Sequence, residues 1–194
     1  MPANGQGSRQ RILRQALGLF SSRGYDATSV REICLAAEIT KPTLYHFFGS
    51  KEGLYRALLG DALQGFRQEL RETLAVPGTT EERLARVSRE YFRVAREQRD
   101  LVRFLIATVH GPATSAPTDL IHDFYEELVG QVARVVEEGV ARGECAPGPT
   151  DARMLVFMGA LTEAITGYLL LGRPELTPEL AGTLTETILA GWRS

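Results

Sequence analysis

The sequence predicts an all-α protein of about nine helices, and three observations predict it. Apolar residues recur at the 3.6-residue spacing through almost the whole chain, and no segment alternates strictly as a half-buried strand does. Gly and Pro cluster at Arg23-Gly24, Gly49-Ser50, Pro77-Gly78, Gly111 to Pro117, Pro147 to Pro149 and Gly172-Arg173-Pro174, cutting the chain into helix-sized pieces. The 194 residues, 44% hydrophobic and 24% charged, are enough to bury a substantial core, which excludes disordered, collagen-like and supercharged chains.

The first helix, 8–22, carries Ile12, Leu13, Ala16, Leu17, Leu19 and Phe20 as one stripe and ends at Arg23-Gly24, a left-handed cap. The second, 29–36, starts at Ser29 with Glu32 three residues on, a capping box; Val30, Ile33, Cys34 and Ala37 share a face, with Arg31 and Glu32 outside it. The third, 41–47, begins at Thr40-Lys41-Pro42. At 100° per residue Leu44, Phe47 and Phe48 turn to the core together, while Pro42, Thr43, Tyr45 and His46 turn away. Ser50 precedes the fourth helix, 51–75, and the fifth, sixth and seventh span 80–97, 99–110 and 118–142. Thr150 with Asp151 and Thr177 with Pro178 read as caps for the eighth, 150–171, and the ninth, 177–192. The eighth is apolar nearly all round, so it is expected to cover the core with one side and a partner subunit with the other; the ninth has one apolar face.

Two short helices joined as tightly as the second and third form a helix-turn-helix, whose second helix enters the DNA major groove. An outward face of Pro, Thr, Tyr and His suits DNA better than water: a Thr methyl meets a thymine methyl, hydroxyls meet phosphate, and imidazole meets base acceptors. The charge is divided to match, with residues 1–56 at +4, both lysines included, and the remainder at −6. A membrane span is not expected, because the most apolar stretch, Met154 to Leu171, carries Glu163 and two threonines. The N-terminus lacks the apolar run of a secretory signal, which makes the cytoplasm the expected compartment. Cys34 and Cys145 alone imply neither a disulfide framework nor a metal set, and no cofactor is expected. A small helical enzyme would need a constellation that is missing: His46, His110 and His122 are scattered, and the pairs Glu81-Glu82, Glu126-Glu127 and Glu137-Glu138 do not face one another.

The run Thr40-Lys41-Pro42-Thr43-Leu44-Tyr45-His46-Phe47-Phe48-Gly49-Ser50-Lys51-Glu52-Gly53-Leu54, with Gly24-Tyr25 and Thr28-Ser29-Val30-Arg31-Glu32-Ile33 before it, closely resembles the signature of the TetR family of bacterial transcriptional regulators. The match covers roughly residues 8 to 60. It departs at Glu38, where the turn usually has Gly, and at Cys34, where Ala is usual.

The resemblance implies a helix-turn-helix DNA-binding domain over 1–50 and a ligand-binding and dimerisation domain over 51–194. It implies a homodimer on a palindromic double-stranded operator, acting as a repressor that a small apolar or amphipathic effector releases. By motif, Thr28 and Lys51 fall on phosphate-contacting positions, Arg31 on one that can reach a base, and Thr40, Lys41, Pro42, Thr43, Tyr45 and His46 on or beside the recognition helix. Candidates for the ligand pocket are Tyr91, Phe92, Phe104, Thr108, His110, Phe124, Tyr125, Met154, Phe157, Met158 and Tyr168, with Arg103 and Glu163 as groups able to orient a polar atom. Candidates for the dimer interface are Leu161, Ile165, Leu180, Leu184, Ile188 and Trp192. Two alternatives stay open on the residues alone, a ligand-independent architectural DNA-binding protein and a small helical enzyme.

Overall fold

The computed structural model describes residues 3–110 and 115–193. Among them nine α-helices follow one another and no strand occurs: α1 Ala3–Arg23, α2 Val30–Ala36, α3 Lys41–Phe48, α4 Lys51–Ala75, α5 Thr80–Glu97, α6 Arg99–His110, α7 Asp119–Ala141, α8 Thr150–Leu171 and α9 Pro178–Ala190. The chain forms two compact units, Met1–Gln64 with Asp100–His122, and Gly65–Arg99 with Asp123–Ser194.

In the first unit Ile12, Ala16 and Phe20 of α1 meet Ile33, Cys34 and Ala37 of the second-helix region, Leu44 of α3, and Leu54, Tyr55, Leu58 and Leu59 of α4, all buried. The four aromatic rings that tie this core together come from distant parts of the chain. Tyr55 stands edge-on to Tyr25 (4.9 Å between centroids), to Phe104 (5.4 Å) and to Phe20 (5.7 Å). Edge-to-face packing sets a positive ring edge against a negative face, a preference beyond plain area burial. Two polar ties hold the same unit: Asp26 accepts from the Ser115 N–H (3.1 Å) and hydroxyl, and Arg56 donates to Asp119 (2.8 Å).

The short helices need their caps. Ser29 and Glu32 form the capping box, with the Ser29 N–H donating to Glu32 at 2.8 Å; Arg23 binds the same carboxylate at 2.8 Å. Thr40 caps α3 by accepting from the Thr43 N–H, and Ser50 accepts from the Gly53 N–H at 2.9 Å. After α2 the chain turns at Glu38 with φ of 52°, the left-handed conformation that a glycine would adopt without strain. Glu38 is exposed and should gain nothing from its side chain there, so Glu38→Gly is expected to raise the stability of the first unit by about 1 kcal/mol, read by hydrogen exchange at the amides of α1 to α3. Lowered protection there would show that the glutamate holds the turn.

In the second unit α5 packs chiefly on α9 and also on α8. Ser88 of α5 and Thr185 of α9 meet in the middle of this contact at 2.8 Å, each fully buried; one hydroxyl donates to the other, which donates to the carbonyl one turn back in its own helix. That keeps a polar pair satisfied within an apolar seam. The start of α5 is capped by Thr79 and Glu82, and its Thr80 N–H donates to Glu144 at 2.6 Å. Glu144 is held down to about 2, first by its hydrogen bond from Arg142 and then by Thr80, an anion where the helix end is positive. Gly139 lets α7 approach this corner, since a Cβ there would stand 2.0 Å from Thr80 Oγ1.

Two expected boundaries change. The first helix begins at Ala3 rather than residue 8, because the added turn, Ala-Asn-Gly-Gln-Gly, has no apolar stripe from which a period could be read. Thr150 does not cap α8: it is the first helical residue, and the capping position is Pro149, which makes no side-chain bond. Thr177 does cap α9, accepting from the Leu180 N–H at 3.1 Å.

Candidate functional site

The turn between α2 and α3 sets the second of these helices against the head with one side open. Leu44 is wholly buried, Phe47 and Phe48 are half-buried, and Lys41, Pro42, Tyr45 and His46 are exposed. Thr43 is partly covered, its hydroxyl sharing a 2.9 Å hydrogen bond with that of Thr40, itself exposed. Arg31 is exposed on α2. The open side therefore carries donors, an imidazole and a proline ring without acidic side chains among them, a composition that a polyanion can approach.

Lys51 lies at the start of α4 with its ammonium 4.1 Å from the centre of the Tyr25 ring. Its pKa is lowered, first by partial burial, with Asp26 and Glu32 pulling the other way. Thr28, expected at the phosphate backbone, is buried instead, and its hydroxyl donates to the Gly24 carbonyl at 2.8 Å. That hydroxyl has one proton, and it is engaged within the loop. Cys34 is a buried core residue whose thiol pKa is pushed up by burial.

The residues expected to line a ligand pocket divide between the units. Phe104 is buried in the aromatic core of the first, and Thr108 donates to the Phe104 carbonyl at 2.8 Å. Arg103 is half-buried on the same helix, and the side chain of His110 lies outside the described residues. In the second unit Met154, Phe157 and Met158 of α8 and Phe92 of α5 are buried, and Tyr168 lies beneath the guanidinium of Arg99, 4.6 Å from its ring centre. Glu163 and Tyr125 are exposed. Tyr91 and Phe124 remain together, each at an edge of Phe66: the centroids stand 5.2 Å and 5.5 Å from it. Phe66 was not expected there, because within α4 it reads as one more apolar position.

Of the interface candidates, Leu161, Ile165 and Trp192 are buried inside the chain's own second unit, Trp192 under the Arg153 guanidinium at 5.3 Å. Leu180, Leu184 and Ile188 of α9 are half-exposed. The exposed apolar residues of α8 are others, Leu155 (73% exposed), Val156 (53%), Leu170 (72%) and Leu171 (70%), and Ala152, Gly159 and the exposed Glu163 share the face of Leu155. By length and composition α8 could cross a membrane, yet its opposite row from Met154 to Leu169 is packed as core.

The profile of bacterial regulatory proteins of the tetR family matches residues 12–58. The regulator UidR of Escherichia coli K12 is 31% identical over 152 residues, covering 76% of this chain and 74% of UidR. Two solved structures share the fold. The transcriptional regulator FadR of Bacillus subtilis, in complex with stearoyl-CoA, superposes with a TM-score of 0.79 at 20% identity, over 94% of this chain and 98% of FadR. The ketosteroid regulator KstR2 of Mycobacterium tuberculosis has a TM-score of 0.79 at 22% identity, over 96% of this chain and 95% of KstR2. With a relative this similar over three quarters of the chain, and an α2–α3 pair built to carry a major-groove helix, the chain belongs to the TetR family of DNA-binding transcriptional regulators.

Proposed function

We propose that this regulator is a homodimeric repressor which occupies a palindromic operator in the cytoplasm and leaves it when a small apolar or amphipathic effector binds the C-terminal part of the chain. The observation that carries the DNA-facing half of this reading is the outward side of α3, where Lys41, Pro42, Tyr45 and His46 are exposed around a wholly buried Leu44. Residues 1–50, with Lys51 at the boundary, carry the DNA contacts and 51–194 the ligand and dimer contacts. The stearoyl-CoA bound to FadR and the naming of a related KstR2 as a repressor support an effector-released mode of action. The chain works by binding rather than catalysis, in keeping with relatives that are transcriptional regulators.

On the operator Arg31, Thr43 and His46 discriminate bases, while Thr40, Lys41, Pro42, Tyr45 and Lys51 hold the backbone and set the register. Thr28 supports the loop behind them through Gly24. Each phosphate neutralised by a cation lowers log K by about 0.9 per decade of salt. Lys51→Ala is therefore expected to flatten that slope by about 0.9 and weaken all sequences alike, whereas Arg31→Ala relaxes preference at one base pair by about 1–3 kcal/mol. Fluorescence anisotropy on the selected operator and its point variants, at several salt concentrations, reads both. An unchanged slope would remove Lys51 from the contacts, and unchanged preference at every position would make Arg31 a surface charge.

A further inference from the structure

The hydroxyl of Tyr91 is out of reach of solvent and has no hydrogen-bond partner. Leaving such a donor unpaired costs roughly 1–3 kcal/mol, so a native chain that keeps one asks for an explanation. Its surroundings supply one. Tyr91, Phe66 and Phe124 belong to α5, α4 and α7, are stacked edge to face, and are each only partly covered. All three rings belong to one unit and keep part of their surface uncovered, while the Tyr91 hydroxyl beside them is sealed from water. The adjoining cation, Arg67, lies 5.3 Å from the Phe124 ring centre and already donates to Glu127 at 2.7 Å. An anionic head group would therefore meet in Arg67 a cation already engaged by Glu127. Burial, and secondarily Tyr125, pushes the Tyr91 phenol well above its ordinary value, so it stays a protonated donor.

We propose that Tyr91 is the polar anchor of the effector site, taking a mainly apolar ligand with an uncharged hydrogen-bond acceptor, a ketone, ester or amide carbonyl, seated against Phe66 and Phe124. This rests on the effector-responsive reading and adds to it the chemical class of the ligand. A site that already buries a donor discriminates against ligands lacking an acceptor, because they leave the donor unpaired. A hydrocarbon of the same shape fills the rings and gains nothing from the hydroxyl.

The test uses acetophenone and ethylbenzene, which differ by a C=O in place of a CH2, titrated by calorimetry into the full-length protein and into Tyr91→Phe. Comparing the ratio of the two dissociation constants between proteins cancels each compound's own preference for water. The ketone's advantage is expected to fall about tenfold in Tyr91→Phe, with ethylbenzene bound as well as before or better. The infrared carbonyl stretch of carbon-13-labelled acetophenone, read at lower frequency in the wild type than in Tyr91→Phe, reports the same contact independently of affinity and of the stability of the variant. An equal ratio with an equal stretch in both proteins, as when ordered water satisfies the phenol, overturns the proposal, as does the absence of saturable binding. Operator release is measured alongside. A shifted ratio without release by acetophenone upholds the anchor and counts against the effector reading, and release with an unshifted ratio does the reverse.

Discussion

Replacing Leu155 with glutamate is expected to reduce operator affinity at least a hundredfold while leaving the chain folded. Leu155 is 73% exposed in the single chain, and the substitution there adds a charge to a surface that already faces water. Exposed substitutions of this kind change stability by about 0.5 kcal/mol or less. In the C2 dimer proposed above the same residue would appear on both sides of the axis, so one substitution would add two carboxylates to an interface formed with Val156 and Leu170, where Glu163 already brings charge. Each protomer carries one recognition helix, and joining two modest half-site contacts multiplies affinity by about 10²–10⁴. Sedimentation should show a monomer with unchanged helical circular dichroism, and anisotropy should show the loss of specific binding. A Leu155→Glu protein that remains dimeric would place the interface elsewhere, and a monomer that binds its operator tightly would refute the dimeric reading. Leu184 is a less clean probe, because it is already half-covered within its own chain.

Phe104→Ala is the second large effect, with an expected loss of about 3–5 kcal/mol from the first unit. The ring is 2% exposed and lies against Tyr55 and Phe20, so truncation opens a cavity in a cluster whose other members come from α1, the turn after it and α4. With two compact units a single melting temperature is not a safe measure. Hydrogen exchange at the amides of α1 to α3 reads the affected unit directly. Protection there should fall by about that amount and operator affinity should fall with it, while Phe104→Leu loses less. Protection within about 1 kcal/mol of the wild type would mean that the head is stable without this residue, contrary to a large cavity cost.

That result bears on how far the sequence could be read. Helix limits were legible to within a residue or two for most elements, because capping chemistry at Ser29, Thr40, Ser50 and Thr177 marks them locally. The exposed side of α3 was legible as well, since Leu44 and Phe47 fix the rotation of a short helix. The assignment of Phe104 to a pocket could not be checked that way. Period and composition place it on the inner face of α6 without saying which unit owns that face. Which residues of α8 face the chain's own core was not legible for a related reason: a helix apolar all round has almost no preferred direction, so exposed Leu155 and buried Leu161 look alike until the neighbours are known. Thr28 fits the motif by position, yet the direction of its hydroxyl depends on where Gly24 lies, a matter of loop geometry rather than residue type.

The contact between Lys51 and Tyr25 has a kinetic and entropic side. A lysine on an open surface samples many rotamers and loses about 2 kcal/mol of that freedom when it settles on a phosphate. Here the ammonium already stands 4.1 Å from the ring centre, and a ring face occupies only one side of it. A phosphate arriving at the start of α4 meets a cation whose stem is ordered before the encounter, and partial burial has already removed some of the water it would otherwise have to shed. On the proposed contact of Lys51 with the backbone, Tyr25 would act on DNA affinity from behind, as a preorganising surface that never needs to touch the nucleic acid.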